Sequence, residues 1–287
     1  MADFDLRPVS PALGAEVVGL DLSRPLDPRT VEALSAALGE HLVLAFRGQR
    51  LGDADLVRFS GAFGRLDKAP ITEHGRLNAP GFEEVYVISN VVEDGRPIGA
   101  LGDRESAWHA DMAYLDEPPF ASSLYALEVP DEGGDTGFVS TLASYDALPE
   151  GLRRRVEGLS LKHDATTNSG GYLRQGFEVP TDLRSSPGSV HPLVDVHPSG
   201  RKALRLGRRL HAYIPGLERV ESEALLDEIW RHAVRPDLTW HHRWRVGDLV
   251  MWDNRWTMHR RDPFPADQRR RMHRTQIGAR HTLESVQ

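Results

Sequence analysis

The apolar residues of this chain arrive in short runs punctuated by glycine and proline, and that punctuation constrains the fold more than any other feature. The 287 residues include 26 glycines and 19 prolines. No run approaches the roughly 20 apolar residues that a bilayer-spanning helix needs. Most runs alternate or are too short for a helix of ordinary length, and they read as strands. They fall at residues 16–22, 42–46, 85–89, 107–113, 123–129, 137–141, 193–196, 203–206, 238–244, 249–252 and 271–277. Helical spacing shows at 30–40, 53–63, 142–148, 150–157 and 221–232, with Asp53 placed as an N-cap. Many strands and few scattered helices predict one mainly β domain with flanking helices over residues 1–287. Residues 164–189 break the rhythm; rich in Gly, Ser, Thr and Pro, they read as a long functional loop, an active-site lid.

Composition narrows the chemistry. The chain has no cysteine, which removes thiolate nucleophiles, disulfides, Cys-ligated zinc and iron–sulfur clusters together. Acidic residues number 42 against 35 Lys plus Arg, a formal net charge of -7, so a nucleic-acid partner is not expected. The first residues lack a basic stretch followed by an apolar core, and no membrane association is expected. The expected location is the cytoplasm.

The sharpest local motif is AWHADMAY at 107–114. If this segment is a strand, His109 and Asp111 project to one face, because the side-chain period is two. An imidazole and a carboxylate together suit a divalent metal, and a second histidine would complete a facial triad with open positions. Spacing alone leaves that histidine undecided. His259, after the apolar run 249–252, is best placed, while His241, His242 and His273 compete from strand-like stretches. Beyond His259 come Arg269, Arg270, Arg271 and Arg274. A strand there sends Arg270, Met272 and Arg274 to one face, where guanidinium forks could grip carboxylates. Thr136, after Gly133-Gly134-Asp135, could add a hydroxyl donor.

These motifs stand in a recognisable order. GAEVVGLDLSRPLD, LVLAFRGQ, WHADMAYLDEPP, VPDEGGDTGFVS, HPLVDVHPSGRKAL, WDNRWTMHRRDPF and RRRMHRTQIG together resemble the TauD/TfdA family of iron(II)- and 2-oxoglutarate-dependent dioxygenases. The resemblance implies a double-stranded β-helix, or jelly-roll, with helices packed outside. It implies iron(II) held by His109, Asp111 and His259, with 2-oxoglutarate and dioxygen as cosubstrates. Arg270 and Thr136 match the residues that hold the distal carboxylate of 2-oxoglutarate. Arg274 matches the arginine that grips an anionic substrate. Oxidation of a C–H bond of a small carboxylate, sulfonate or sulfate ester, with release of succinate and CO2, is the implied reaction. A homodimer or homotetramer is the implied assembly. Members acting on taurine carry a histidine where this chain has Ala69-Pro70, and an asparagine where it has Glu105, so taurine is not the expected substrate. Tyr172, Arg174 and Phe177 are the lid residues placed to contact substrate. The rival readings are a metal-dependent hydrolase on the same His/Asp site, which does not account for Arg270 and Thr136, and a non-catalytic jelly-roll binding protein, against which the intact ligand motifs weigh.

Overall fold

A computed structural model describes residues 4–72 and 74–278, so the outermost residues of the expected domain lie outside the described part. Its centre is a nine-stranded sheet. In spatial order it runs Asp5–Pro8, Ala15–Val18, Val43–Phe46, Leu249–Asp253, Ala121–Glu128, Arg271–Gly278, Tyr86–Ser89 and Ala100–Leu101, with Arg65–Leu66 pairing beside the end of Arg271–Gly278. A smaller sheet has the order Ser106–His109, Thr257–Arg261, Thr136–Ser140, Thr239–His242. Neighbours in the chain are rarely neighbours in these sheets, which is how a jelly-roll differs from a meander.

Alternation sorts each strand's side chains between two cores. From the large sheet, Val43, Ala45, Leu124, Ala126, Val250, Trp252 and Met272 face the small sheet and pack with its Phe138. The alternate residues Leu44, Phe46, Tyr125, Leu249, Met251 and Ile277 face outward, against Leu34, Leu38, Leu56 and Phe59. Those partners sit on helices α1 (Pro28–His41) and α2 (Asp53–Gly61). The small sheet is covered likewise. Val139 and Met258 on its outer face meet residues of α3 (Thr141–Asp146), α4 (Glu150–Val156) and α5 (Arg219–Ala233). The result is two facing sheets with helices outside, the jelly-roll that the resemblance implied.

Local chemistry sets the helix ends. The Asp27 carboxylate accepts from Arg29 N and Thr30 N at the start of α1, which ends where Leu42 turns left-handed at φ 64°. The start of α2 differs from the sequence expectation. Gly52 is its N-cap, and the Asp55 carboxylate accepts from Gly52 N at 3.0 Å. Asp53 instead holds His273 Nδ1 at 2.5 Å, pinning the helix to the outer face of the large sheet.

Candidate active site

The pairing of Ser106–His109 with Thr257–Arg261 builds the first half of the site. His109 and His259 are direct cross-strand partners, so their rings share the inner face, with centroids 4.2 Å apart. Asp111 arrives by a different route from the one its spacing suggested. The strand ends at His109, and Asp111 lies in the turn that follows, where Met112 has φ 52°. Asn254 fixes that turn across 143 residues of sequence. Its Oδ1 accepts from Asp111 N at 2.7 Å, and its Nδ2 donates to the carbonyls of Asp111 and Pro119, both at 2.9 Å. The shared-face argument for HxD therefore fails here, although the residues do meet.

The Asp111 carboxylate is divided in two. Ser122 donates to Oδ2 at 2.9 Å, while Oδ1 faces His109 Nε2 at 3.6 Å and His259 Nε2 at 3.9 Å. One ligand atom from each of these three buried residues lies within 4.8 Å of the others. The His109 Nδ1 donates to the Ala107 carbonyl at 2.7 Å, which fixes the ring with Nε2 facing Asp111. Burial holds His259 well below its ordinary pKa, hence neutral. Burial alone would raise the Asp111 carboxyl, but the Arg274 guanidinium outweighs it and holds it well below the usual carboxylate range. Two imidazoles and one carboxylate, converging with cavities beyond them, fit iron(II) by donor chemistry.

Two cavities open from the triad. The first is lined by His109, His259, Thr136, Arg261, Arg270 and Arg274 among apolar Ile88, Leu124 and Trp252. Arg270 is only 2 % exposed, makes no salt bridge with a described carboxylate, and keeps Nε without an acceptor. Burial, reinforced by the nearby charge of Arg261, pushes its guanidinium well below the ordinary value. A buried cation of this kind calls for an anion. Thr136 Oγ1 already accepts from Trp244 Nε1 at 2.9 Å, so its own hydrogen is free to donate into the cavity. These groups fit the distal carboxylate of 2-oxoglutarate.

The second cavity shares His109 and Arg274 with the first and also reaches Asp111. Ile71, Tyr86, Leu101, Met112 and Leu210 supply apolar walls, and Arg174, Arg208 and Arg274 supply charge. The three arginines are differently committed. Arg208 spends its guanidinium on the Asp164 carboxylate and the carbonyls of Thr167 and Asn168. Arg274 donates to Asp111 Oδ1 at 2.8 Å and lies over the Tyr86 ring at 5.0 Å, with its Nε unpartnered. Arg174 sits 4.1 Å over the Tyr114 ring and donates to the Ala165 carbonyl at 3.1 Å. His163 also lines this cavity; burial lowers it to about 3, so it is neutral.

The structure thus brings together His109, Asp111, His259, Thr136, Arg270 and Arg274. Of the three lid residues, Arg174 lines the second cavity, while Tyr172 and Phe177 are not among its lining residues. The segment 164–189 contains no regular helix or strand, and its base is tied by the Asp164 carboxylate to Thr166, Thr167 and Arg208. The competing histidines are spent elsewhere. His241 pairs with Asp262 at 3.0 Å, His242 with Asp248 at 3.2 Å, and His273 with Asp53 on the outer face. Sequence reasoning missed Asn254, Ser122, Trp244 and Arg208. The WDNR motif carries Asn254, but nothing in the spacing marks its partner.

Comparison with known proteins gives a consistent picture. The family model described as "Taurine catabolism dioxygenase TauD, TfdA family" matches residues 5–276. The chain is 35% identical to an (S)-phenoxypropionate/alpha-ketoglutarate-dioxygenase of Sphingobium herbicidovorans, over 99% of this chain and 98% of that protein. It is 35% identical to an alpha-ketoglutarate-dependent 2,4-dichlorophenoxyacetate dioxygenase of Cupriavidus pinatubonensis, over 93% and 95%. Among solved structures, AAD-2 in complex with Mn(II) and N-oxalylglycine matches with TM-score 0.78 and 29% identity, covering 97% of this chain and 98% of that one.

Proposed function

The chain belongs to the TauD/TfdA family of iron(II)- and 2-oxoglutarate-dependent dioxygenases, and on that premise we propose that its substrate is an aryloxyalkanoate-type carboxylate. The observation that carries this choice is the second cavity, where guanidinium groups stand among apolar walls beside the triad. A carboxylate with an aromatic or branched body matches both halves of that lining, whereas a compact sulfonate such as taurine would leave the apolar walls unused. The two relatives described above, whose names specify phenoxypropionate and 2,4-dichlorophenoxyacetate, support it.

His109, Asp111 and His259 are the residues that would hold iron(II), and Arg270 with Thr136 would hold 2-oxoglutarate by its distal carboxylate. Bound iron, with 2-oxoglutarate and dioxygen, supplies the oxidising power for an unactivated C–H bond, releasing succinate and CO2. The chain's own residues bind and orient. Arg274 offers Nε, and Arg174 its remaining donors, to the substrate carboxylate. Leu101, Met112 and Leu210 keep water from the reacting carbon. Residues 164–189 act as the lid of a single domain, with Arg174 its cavity-lining residue and Tyr172 and Phe177 its further candidate substrate contacts. The working form is a cytoplasmic homodimer or homotetramer, measurable by light scattering; no described helix is long and apolar enough to cross a membrane.

The test is a panel of 2-phenoxypropionate, an alkyl sulfate and taurine, each offered with iron(II) and 2-oxoglutarate and followed as succinate above the substrate-free background. Phenoxypropionate is expected to give the largest kcat/KM. Faster turnover of the sulfate or of taurine would overturn the substrate assignment while leaving the reaction class in place.

A further inference from the structure

The cosubstrate cavity holds one more cation than the anchoring of a single carboxylate by Arg270 requires. Arg261 is the direct cross-strand partner of Thr136, so the two side chains enter the cavity side by side. It is 6% exposed, and its ring-stacking partner Phe264 lies 5.4 Å away. One terminal nitrogen, NH2, is spent on the carbonyls of Leu101 and Arg104. Its Nε is buried and has no acceptor, as is that of Arg270. No acidic side chain lines this cavity, and Arg261 makes no salt bridge with a described carboxylate; the charge of Asp103 acts on it only from beyond contact distance. A guanidinium needed only to clamp two carbonyls would gain nothing from a like charge beside it and an unsatisfied donor, each of which costs stability.

Resting on the reading of the site as a 2-oxoglutarate site, we infer that Arg261 is a second cationic partner for the cosubstrate's distal carboxylate. Arg270 and Thr136 take its oxygens from two sides, and Arg261 faces them beside Thr136. The consequence is selectivity: the cavity favours a 2-oxo dicarboxylate over a 2-oxo monocarboxylate of the same chain length by more than Arg270 alone would give. Arg261 touches no reacting atom, so its effect belongs to binding rather than to the oxidation.

The experiment is calorimetric titration of the Mn(II)-loaded full chain with 2-oxoglutarate and with 2-oxopentanoate, in the wild type, Arg261→Gln and Arg261→Lys. Loss of one charge-assisted hydrogen bond predicts that Arg261→Gln weakens 2-oxoglutarate on the order of tenfold. Its 2-oxopentanoate affinity should stay within about twofold, so the preference ratio collapses. Arg261→Lys keeps the charge and is expected to keep most of the ratio. Equal weakening of both acids in Arg261→Gln, or an unchanged ratio, overturns the proposal and leaves Arg261 a clamp for the 101–104 segment. If Arg261→Gln does not fold, Arg261→Met decides by the same criteria: a collapsed ratio supports the charge role, and an unchanged ratio or a parallel loss for both acids refutes it. Failure of 2-oxoglutarate to bind the wild type would instead overturn the reading of the site itself.

Discussion

Asp111 is where the electrostatics of the site concentrate. Its carboxylate is buried, yet it is kept ionised by Arg274 at 2.8 Å. A deprotonated carboxylate is the metal-binding form, so a low pKa limits competition from protons. Removing Arg274 raises that pKa. Arg274→Gln should therefore lose Mn(II) at a higher pH than the wild type, in a titration of bound metal from pH 8 downward. Coincident curves would show that Arg274 does not tune the ligand. Asn254 acts on the same residue by geometry. Its two-way clamp on the Asp111 backbone predicts that Asn254→Ala weakens metal binding about 10–100-fold while the fold persists, as loss of a supporting contact typically does. Equilibrium dialysis with Mn(II) reads this directly, and unchanged affinity would remove Asn254 from the site. The sequence pointed to the three candidate ligands but not to this support. Asp111 and Asn254 are 143 residues apart, and only the closed jelly-roll brings them together.

Strand alternation explains more of the molecule than any motif does. The period of two placed Met272 and Arg274 inward and His273 and Thr275 outward, and the structure follows it: Met272 joins the inter-sheet core while Thr275 meets Ser60 on α2. The same rule failed at Asp111 because the strand stops at His109, and period-two arguments end where pairing ends. The helix-start reading failed separately at Asp53, whose carboxylate caps nothing and pairs with a histidine from a distant strand. One element-level strain is measurable. Asp67, beside the short Arg65–Leu66 strand, has its carboxyl pushed up to about 6 by burial. The folded state then holds the proton more tightly than the unfolded chain, so stability is lost as pH rises from about 4 to about 6. Asp67→Asn should be more stable than the wild type by about 1–2 kcal/mol above pH 6, allowing for residual solvent screening. The difference should vanish toward pH 4. Urea midpoints at the two pH values check it, and a difference that does not change with pH would contradict the cause.

At the scale of the whole molecule, a chain with net charge -7 surrounds a cationic, apolar-walled interior. Surface acidity and inward arginines are compatible because the two facing sheets separate them. Nothing in composition could show this; the alternation did so in part, and the resemblance of seven ordered motifs did the rest. Metal ligands drawn from both the small sheet and the turn after it imply that metal binding stabilises the fold. Mn(II) at 100 times its Kd should raise the unfolding free energy by about 2.7 kcal/mol, and Asp111→Asn should abolish the increment. Thermal or urea unfolding with and without chelator measures it. The central claim, a dioxygenase working from His109, Asp111 and His259, is tested most directly by substrate-dependent succinate formation from 2-oxoglutarate. The wild type with iron(II), dioxygen and 2-phenoxypropionate should form succinate stoichiometrically with oxidised product, and His259→Ala, folded but metal-free, should form none. Product formation without 2-oxoglutarate or dioxygen, or undiminished turnover by His259→Ala, would contradict it.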